Sequence, residues 1–154
     1  MTEWTATGVI EAPLERVCAA MLTVHEGRTG RDNAPLLAAI PGAGRLMAGA
    51  SVQGGPSRFT LHYGPQASPG GTIEVGRRSF AMQGGFKFRA EYEFAEHPRG
   101  TLLTYRAVNV APASHRNRAL VRFQFWLGAR LRVGLRGALR RTAHILDCPT
   151  YPGT

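Results

Sequence analysis

The longest uninterrupted element that this sequence predicts is a helix close to the C-terminus. Residues 115–146 contain no proline and follow a helical periodicity from an N-cap at Ser114 until Cys148 and Pro149 end it. At 1.5 Å per residue this helix would be about 48 Å long. Its predicted core face consists of apolar residues that recur at helical spacing: Leu120, Val121, Leu127, Leu131, Leu135, Ala138, Leu139, Ile145 and Leu146. The rest of the chain must therefore supply a long apolar surface to cover that face.

The middle of the chain predicts this surface as an antiparallel meander of short strands. Between residues 45 and 109, turn signals rich in glycine and proline recur about every eight to twelve residues. The predicted strands are 45–53, 57–63, 72–77, 79–83, 86–95 and 101–109. A helix of this length can then lie on one face of the sheet.

The strongest strand signal is in residues 86–94, where aromatic or small residues alternate with charged ones. Such alternation indicates one buried face and one solvated face. On the following strand, Arg106 is expected to pair with Glu91 or Glu93 across the solvated face. The inward residues of that strand are then Leu103, Tyr105 and Ala107.

The N-terminal part of the chain predicts one strand followed by two short helices. Residues 5–11 are typical of a strand, and Pro13 suits the first turn of a helix that runs to Met21. Residues 26–34 are polar and contain glycine, which predicts a loop. Residues 35–40 predict the second short helix.

Two motifs in this framework resemble a known superfamily. Residues 10–17 (Ile-Glu-Ala-Pro-Leu-Glu-Arg-Val) and residues 100–105 (Gly-Thr-Leu-Leu-Thr-Tyr) are similar to motifs of the START-like, or SRPBCC, superfamily. The resemblance implies an α+β helix-grip fold in one domain over residues 1–154. In that fold, a curved antiparallel sheet of about seven strands wraps around a long C-terminal helix, and two short helices follow the first strand.

The same resemblance implies a function for the space between sheet and helix. Members of the superfamily bind a hydrophobic small molecule there, such as a lipid, isoprenoid or polyketide, and some have cyclase or dehydratase activity. The chain departs from the superfamily in its second short helix, where Leu36, Leu37 and Ile40 stand in place of the tryptophan often found there. It also has no counterpart of the glycine-rich turn of the plant members.

The candidate ligand-binding residues combine aromatic, hydroxyl, amide and small side chains on the sheet and the long helix. They are Arg58, His62, Tyr63, Phe88, Tyr92, Tyr105, Gln124, Gly128 and Leu131. Gln124 and Thr142 lie in the middle of the apolar helix face, so each needs water, backbone or a ligand as a partner. Gly128 and Gly134 leave space beside that face, either for close strand packing, the commoner role, or for a cavity. For any single tyrosine, a plain core role is the simpler interpretation.

A catalytic version of the site would need converging polar groups. A tyrosine or histidine of near-neutral pKa would polarise a ketone or remove an adjacent proton, and an arginine or Gln124 would hold the oxyanion. The sequence does not show that any two of these groups converge, so the catalytic residues are unknown. A carrier that binds or sequesters the ligand and a polyketide cyclase or dehydratase are both kept as hypotheses.

Charge is distributed unevenly and adds a third hypothesis, a basic module that docks on an acidic membrane or a polyanion through the arginine-rich helix. The formal net charge is +9, and residues 76–154 hold the whole excess. The outer face of the long helix combines arginines with apolar residues: Arg118, Arg122, Arg132, Arg136, Arg140, Phe125, Trp126 and Val133. This composition favours self-association as a homodimer or packing within the chain first, then docking on an acidic membrane surface. Nucleic acid ranks last because no helix-turn-helix or RNA-binding signature is present.

Several other classes are excluded or disfavoured. Two cysteines in 154 residues exclude a disulfide-rich scaffold. The five histidines are scattered without metal-ligand spacing, and the glycine pairs match neither a P-loop nor a dinucleotide fingerprint, so we expect neither a metal nor a cofactor. The sequence contains no apolar run long enough for a bilayer, which predicts a cytoplasmic protein.

Overall fold

The fold is a large antiparallel sheet with helices packed on one face. The computed structural model describes residues 3–29, 33–38, 50–63, 70–84, 88–109 and 118–153; within these, side chains are not described for 37–38, 63, 84, 88, 109 and 118–131. The strands are β1 (Glu3–Ile10), β2 (Gly27–Arg28), β3 (Ala50–Gly54), β4 (Arg58–Tyr63), β5 (Gly71–Val75), β6 (Ser79–Gly84), β7 (Phe88–His97), β8 (Gly100–Asn109) and β9 (Thr150–Pro152). The helices are α1 (Leu14–Met21), α2 (Pro35–Ala38) and α3 (Arg118–Leu146).

The strand order is β2-β3-β4-β5-β6-β7-β8-β1-β9, and every neighbouring pair is antiparallel. The α+β class, the meander and the C-terminal helix are therefore confirmed. The predicted number of about seven strands was wrong, because the described residues form nine. The two additional strands, β2 and β9, have two and three residues, too few to show an alternation in the sequence. β2 lies in the segment predicted as a loop.

The two faces of the sheet differ as the alternation predicts. Leu103, Tyr105 and Ala107 are buried on the inner face of β8. On the opposite, outer face, Arg106 Nη1 lies 3.4 Å from a carboxylate oxygen of Glu91 in β7. The inner side chains of the other strands complete the core with α1 and α3: Ile10, Val52, Phe59, Leu61, Ile73, Phe80, Met82, Ala90, Tyr92 and Phe94.

Helix α3 lies over one end of the strand order, where it contacts β8, β1 and β9 as well as both short helices. Leu135, Ala138, Leu139 and Leu146 are buried, as expected for the core face. Ile145 was placed on that face wrongly, because it is 41% exposed. The side chains of residues 120–131 in the predicted face lie outside the described residues.

Polar groups near the end of α3 are paired with backbone. The buried Thr142 hydroxyl donates to the Ala138 carbonyl over 2.8 Å. Backbone is one of the three kinds of partner that the sequence predicts for this residue. Arg16 of α1 donates from Nη2 to the Leu146 carbonyl over 3.1 Å and so ties α1 to the last turn of α3.

Two glycines set how closely α3 approaches the sheet. A Cβ atom on Gly8 of β1 would lie 2.8 Å from a methyl carbon of Leu139, so the leucine occupies the space that a side chain would need. A Cβ atom on Gly134 of α3 would lie 2.9 Å from the Tyr105 ring. Each element thus receives a side chain from the other. At Gly134, close packing rather than a cavity is the role of the glycine.

The two motifs that resemble the START-like superfamily touch each other in space. Gly100 begins β8 with φ +135°, and a Cβ atom there would lie 2.5 Å from the Ile10 carbonyl oxygen. The buried Thr101 hydroxyl donates to the Ala12 carbonyl over 2.8 Å. The start of β8 therefore packs directly against residues 10–12, which connect β1 to α1.

Replacement of Gly100 tests this contact, with Gly27 as the matched control. Gly27 has a similar φ of +133° but open space around its Cβ position. We expect Gly27→Ala to lower the free energy of unfolding by about 1 kcal/mol, the cost of the backbone conformation alone. Gly100→Ala adds a backbone clash and should lower it by about 3 kcal/mol. Urea unfolding followed by circular dichroism measures both; equal losses would contradict the proposed contact.

Replacement of Gly134 tests the approach of α3. Alanine improves helix propensity by about 1 kcal/mol relative to glycine, but here its methyl group meets the Tyr105 ring. We expect Gly134→Ala to destabilise the protein and to stabilise a Tyr105→Ala variant, in which the ring is gone. A double-mutant cycle of unfolding free energies measures this reversal of sign. Stabilisation in both backgrounds would show that the ring does not limit the approach.

Candidate ligand-binding site

The structure brings two of the predicted site residues into direct contact on the inner face. Tyr92 of β7 and Tyr105 of β8 are directly opposite each other in the strand register. Their rings stack with centroids 4.7 Å apart and an interplanar angle of 16°. Phe80 of β6 meets Tyr92 edge-on, with centroids 6.0 Å apart. Because Gly134 packs on the other side of Tyr105, the stacked pair lies directly beneath α3.

The hydroxyl of Tyr92 is the unusual group of this cluster. The residue is completely buried, and its hydroxyl oxygen forms no hydrogen bond of regular distance and angle among the described residues, although the Tyr105 hydroxyl lies close enough to raise its pKa. A buried hydroxyl without a partner costs about 1 to 3 kcal/mol, and structures rarely leave one unsatisfied. The Tyr92 hydroxyl is therefore a buried donor on the inner face of the sheet without a regular hydrogen bond among the described residues.

Burial also fixes the protonation state of the pair. It raises the pKa of Tyr92 well above the ordinary value, and the neighbouring Tyr105 hydroxyl adds to the shift. Burial raises the pKa of Tyr105 to about 12. Both phenols are therefore neutral at physiological pH and can donate hydrogen bonds, but neither is suited to act as a general base.

The inner surface next to the tyrosines is apolar. Ile73, Met82, Ala90 and Ala107 form one row across four strands, one step along the sheet from the stacked pair. Trp4, half-buried, extends the row onto β1. In this row β7 and β8 contribute Ala90 and Ala107, whose side chains are single methyl groups. In the neighbouring row the same two strands contribute Tyr92 and Tyr105. Two tyrosine hydroxyls beside a mostly apolar wall are a composition typical of small-molecule sites.

Arg58 and His62 do not belong to this surface, which corrects their assignment to the cavity. They alternate with the inward Phe59 and Leu61 of β4 and so lie on the outer face of the sheet. The Arg58 side chain is 76% exposed. His62 Nε2 lies 2.8 Å from the hydroxyl of Thr60, its neighbour on the same outer face.

The other predicted site residues are placed by backbone alone. Phe88 pairs with Gly84 and Asn109, and Tyr63 pairs with Ala50. Gln124, Gly128 and Leu131 are helical residues of α3. The side chains of these five predicted residues lie outside the described part of the structure, so their place in a site stays a prediction.

The outer face is instead occupied by a ladder of ion pairs across the strands. Its successive members lie 2.7 to 3.4 Å apart: Arg58, Glu74, Arg89, Glu91, Arg106 and Glu3. Hydrogen bonds from Arg58 and Arg89 hold the pKa of the Glu74 carboxyl below its usual value. A depression of about 480 Å³ lies among these groups, and four of its charged lining residues, Arg58, Glu74, Arg89 and Glu91, are paired with one another.

The sequence interpretation missed Phe80 as part of the site. Its signal was present, because the large apolar residues Phe80 and Met82 alternate with the smaller or polar Ser79, Ala81 and Gln83. Within the described residues, no three histidine, cysteine or acidic side chains cluster as a metal site would require. No helix in the described ranges is both long and apolar enough to cross a membrane. Comparison of the sequence with protein-family models and with curated proteins gave no match.

Alkaline titration tests the burial of the tyrosine pair. Tyr105 is neutral in both folded and unfolded chains below pH 10, and between pH 10 and 12 only the unfolded chain ionises it. The raised pKa therefore stabilises the fold below pH 10, and this contribution, about 3 kcal/mol, is lost as the pH rises towards 12. Absorbance titration should show a component near pKa 12 that Tyr105→Phe removes, and the variant should lose stability less steeply above pH 10. An unchanged titration would contradict the assignment.

Proposed function

We propose that the chain is a START-like helix-grip domain that binds and carries an apolar small molecule with one hydrogen-bond acceptor. The observation on which this rests is the buried, unpartnered hydroxyl of Tyr92 on an apolar inner face. A ketone, ester or ether oxygen of a lipid, isoprenoid or polyketide would accept its proton in a hydrogen bond. The apolar remainder of the ligand would lie along the row that contains Ala90 and Ala107.

Physical arguments support binding at this point. The hydroxyl has lost its hydration without gaining a partner, so a ligand acceptor that reaches it restores a hydrogen bond in a low-dielectric environment. The Tyr105 ring fixes the position of the Tyr92 ring by stacking, and Gly134 fixes Tyr105. A donor whose orientation is fixed in advance loses little entropy on binding.

The order of elements and the contact between the two motifs support the superfamily assignment. The contact of Gly100 and Thr101 with residues 10–12 gives the paired motifs a shared structural role at the end of β1. The position of α3 across β8, β1 and β9 is in keeping with a helix held by a sheet.

A carrier role is favoured over a cyclase or dehydratase. The tyrosines have raised pKa values, so they could stabilise an oxyanion by donation but could not remove a proton near neutral pH. His62, the histidine considered as a base, lies on the outer face with Thr60. The described part of the candidate site thus offers a donor without an accompanying base.

Tyr92→Phe separates ligand binding from stability. Because the variant removes a buried hydroxyl that has no protein partner, we expect the unliganded protein to be as stable as the parent or more stable by up to about 1 kcal/mol. Binding of a long-chain methyl ketone should weaken by roughly fivefold to tenfold, whereas binding of the alkane of equal length should not change. Isothermal titration calorimetry and thermal unfolding measure the two effects.

Native mass spectrometry of the purified protein, followed by solvent extraction, identifies any ligand that copurifies. An adduct retained by Arg58→Gln, a control on the outer face, and diminished in Tyr92→Phe would support the site. If the ketone and the alkane bind equally to the parent protein, or if Tyr92→Phe destabilises the unliganded protein by 2 kcal/mol or more, the hydroxyl has another partner and the proposal is wrong.

A further inference from the structure

One stretch of the sheet edge is left open beside α3. β9 pairs only with Gly8, Val9 and Ile10 of β1, although β1 begins at Glu3. The last hydrogen bond on this side runs from the Gly153 N–H to the Thr7 carbonyl over 2.6 Å. Because backbone groups alternate along a strand, the N–H and C=O of Thr5 point to the same side as those of Thr7. No described residue pairs with Thr5 there.

A groove of about 530 Å³ continues the line of β9 along this open edge. The β1 residues Thr5–Thr7 form one wall, Pro152 and Gly153 close one end, and α3 forms the other wall with three side chains, Arg132, Leu135 and Arg136. Contacts of Leu139 with Gly8, and of Gly134 with Tyr105 opposite Ala6, show that α3 follows β1 at this point. The groove therefore runs alongside β1, in the direction of the strand.

Its charge is uncompensated. Arg132 and Arg136 are exposed, and neither forms an ion pair among the residues whose side chains are described. The one acidic residue of β1 near the open edge, Glu3, is paired with Arg106 over 2.8 Å. The groove thus presents two guanidinium groups on one side and unpaired backbone on the other.

We propose that this groove binds an extended acidic segment of a partner protein, which adds to the sheet as a strand in line with β9. The spacings agree: residues four apart on a helix are separated by about 6 Å along the axis, and alternate residues of a strand by about 6.6 Å. Acidic residues at positions i and i+2 of the partner would face Arg132 and Arg136. The intervening residues would face outward beside Thr5 and Thr7.

The charge argues against a second copy of the chain as the occupant. Pairing of two β1 edges about a twofold axis would bring two arginine pairs towards each other, and the nearby carboxylate of Glu3 is already paired with Arg106. Strand addition supplies main-chain hydrogen bonds for affinity, and alternate side chains supply specificity. The inference stands apart from the proposed ligand site, because none of the groove residues is a member of the tyrosine cluster.

A capped peptide of alternating valine and glutamate tests the proposal by fluorescence anisotropy with the full chain. Arg132→Gln combined with Arg136→Gln should weaken its binding about tenfold, whereas Arg140→Gln, an exposed arginine of α3 outside the groove, should change it less than about twofold. Thr5→Pro removes one edge N–H and should weaken binding about fivefold, whereas Thr5→Val should not. Circular dichroism confirms that each variant is folded.

Two further peptides and two further assays give the outcomes that would overturn the proposal. Replacement of glutamate by glutamine, or N-methylation of the edge-facing residues, should weaken binding about tenfold. If either peptide binds like the unmodified peptide, strand addition by an acidic segment is wrong. Binding only to vesicles that contain phosphatidylserine, unaffected by Thr5→Pro, would identify a membrane surface instead. A dimer in sedimentation that Thr5→Pro dissolves, without peptide binding, would identify a second copy.

Discussion

The close approach of α3 to β1 and β8 is the constraint on which the other features depend. It requires a glycine on each partner, Gly8 to receive Leu139 and Gly134 to receive the Tyr105 ring. Because interiors are packed at near-crystalline density, a side chain added at either glycine would force the facing Leu139 or Tyr105 side chain to move. The line of contact fixes the tyrosine stack beneath the helix and places Arg132 and Arg136 above the open edge of β1.

The sheet separates its polar groups by face, and this separation supports the proposed ligand site on the inner face. On the outer face of β7, Arg89 and Glu91 are satisfied by neighbours in the ion-pair ladder. On the inner face of the same strand, Tyr92 holds a hydroxyl that has no partner in the described part of the chain. Solvated ion pairs contribute little free energy individually, whereas one unpaired buried hydroxyl is costly. The inner face is therefore where a bound molecule would relieve the larger energetic cost.

The two edges of the sheet are also unlike each other. At one end β2 has only two residues, which leaves a short edge for unwanted pairing. At the other end β9 covers β1 only from Gly8 to Ile10 and then stops at Pro152 and Gly153. The partial cover leaves a strand-length opening beside Arg132 and Arg136, so two of the basic residues of 76–154 lie next to an edge whose backbone has no described partner at Thr5.

The sequence by itself determined the α+β class, the antiparallel meander, the C-terminal end of α3 and the inward direction of Leu103, Tyr105 and Ala107, because periodicity reports directly on which face of an element is buried. It could not assign β2 and β9, which are too short to have a period. The alternation of Phe59 and Leu61 with Arg58 and His62 already indicates that the two polar residues lie on the opposite face, so their assignment to the ligand site went against the pattern of the strand. Only the tertiary structure brought Gly134 to Tyr105 and Thr101 to Ala12, because contacts between residues far apart in the chain are decided by how the elements pack.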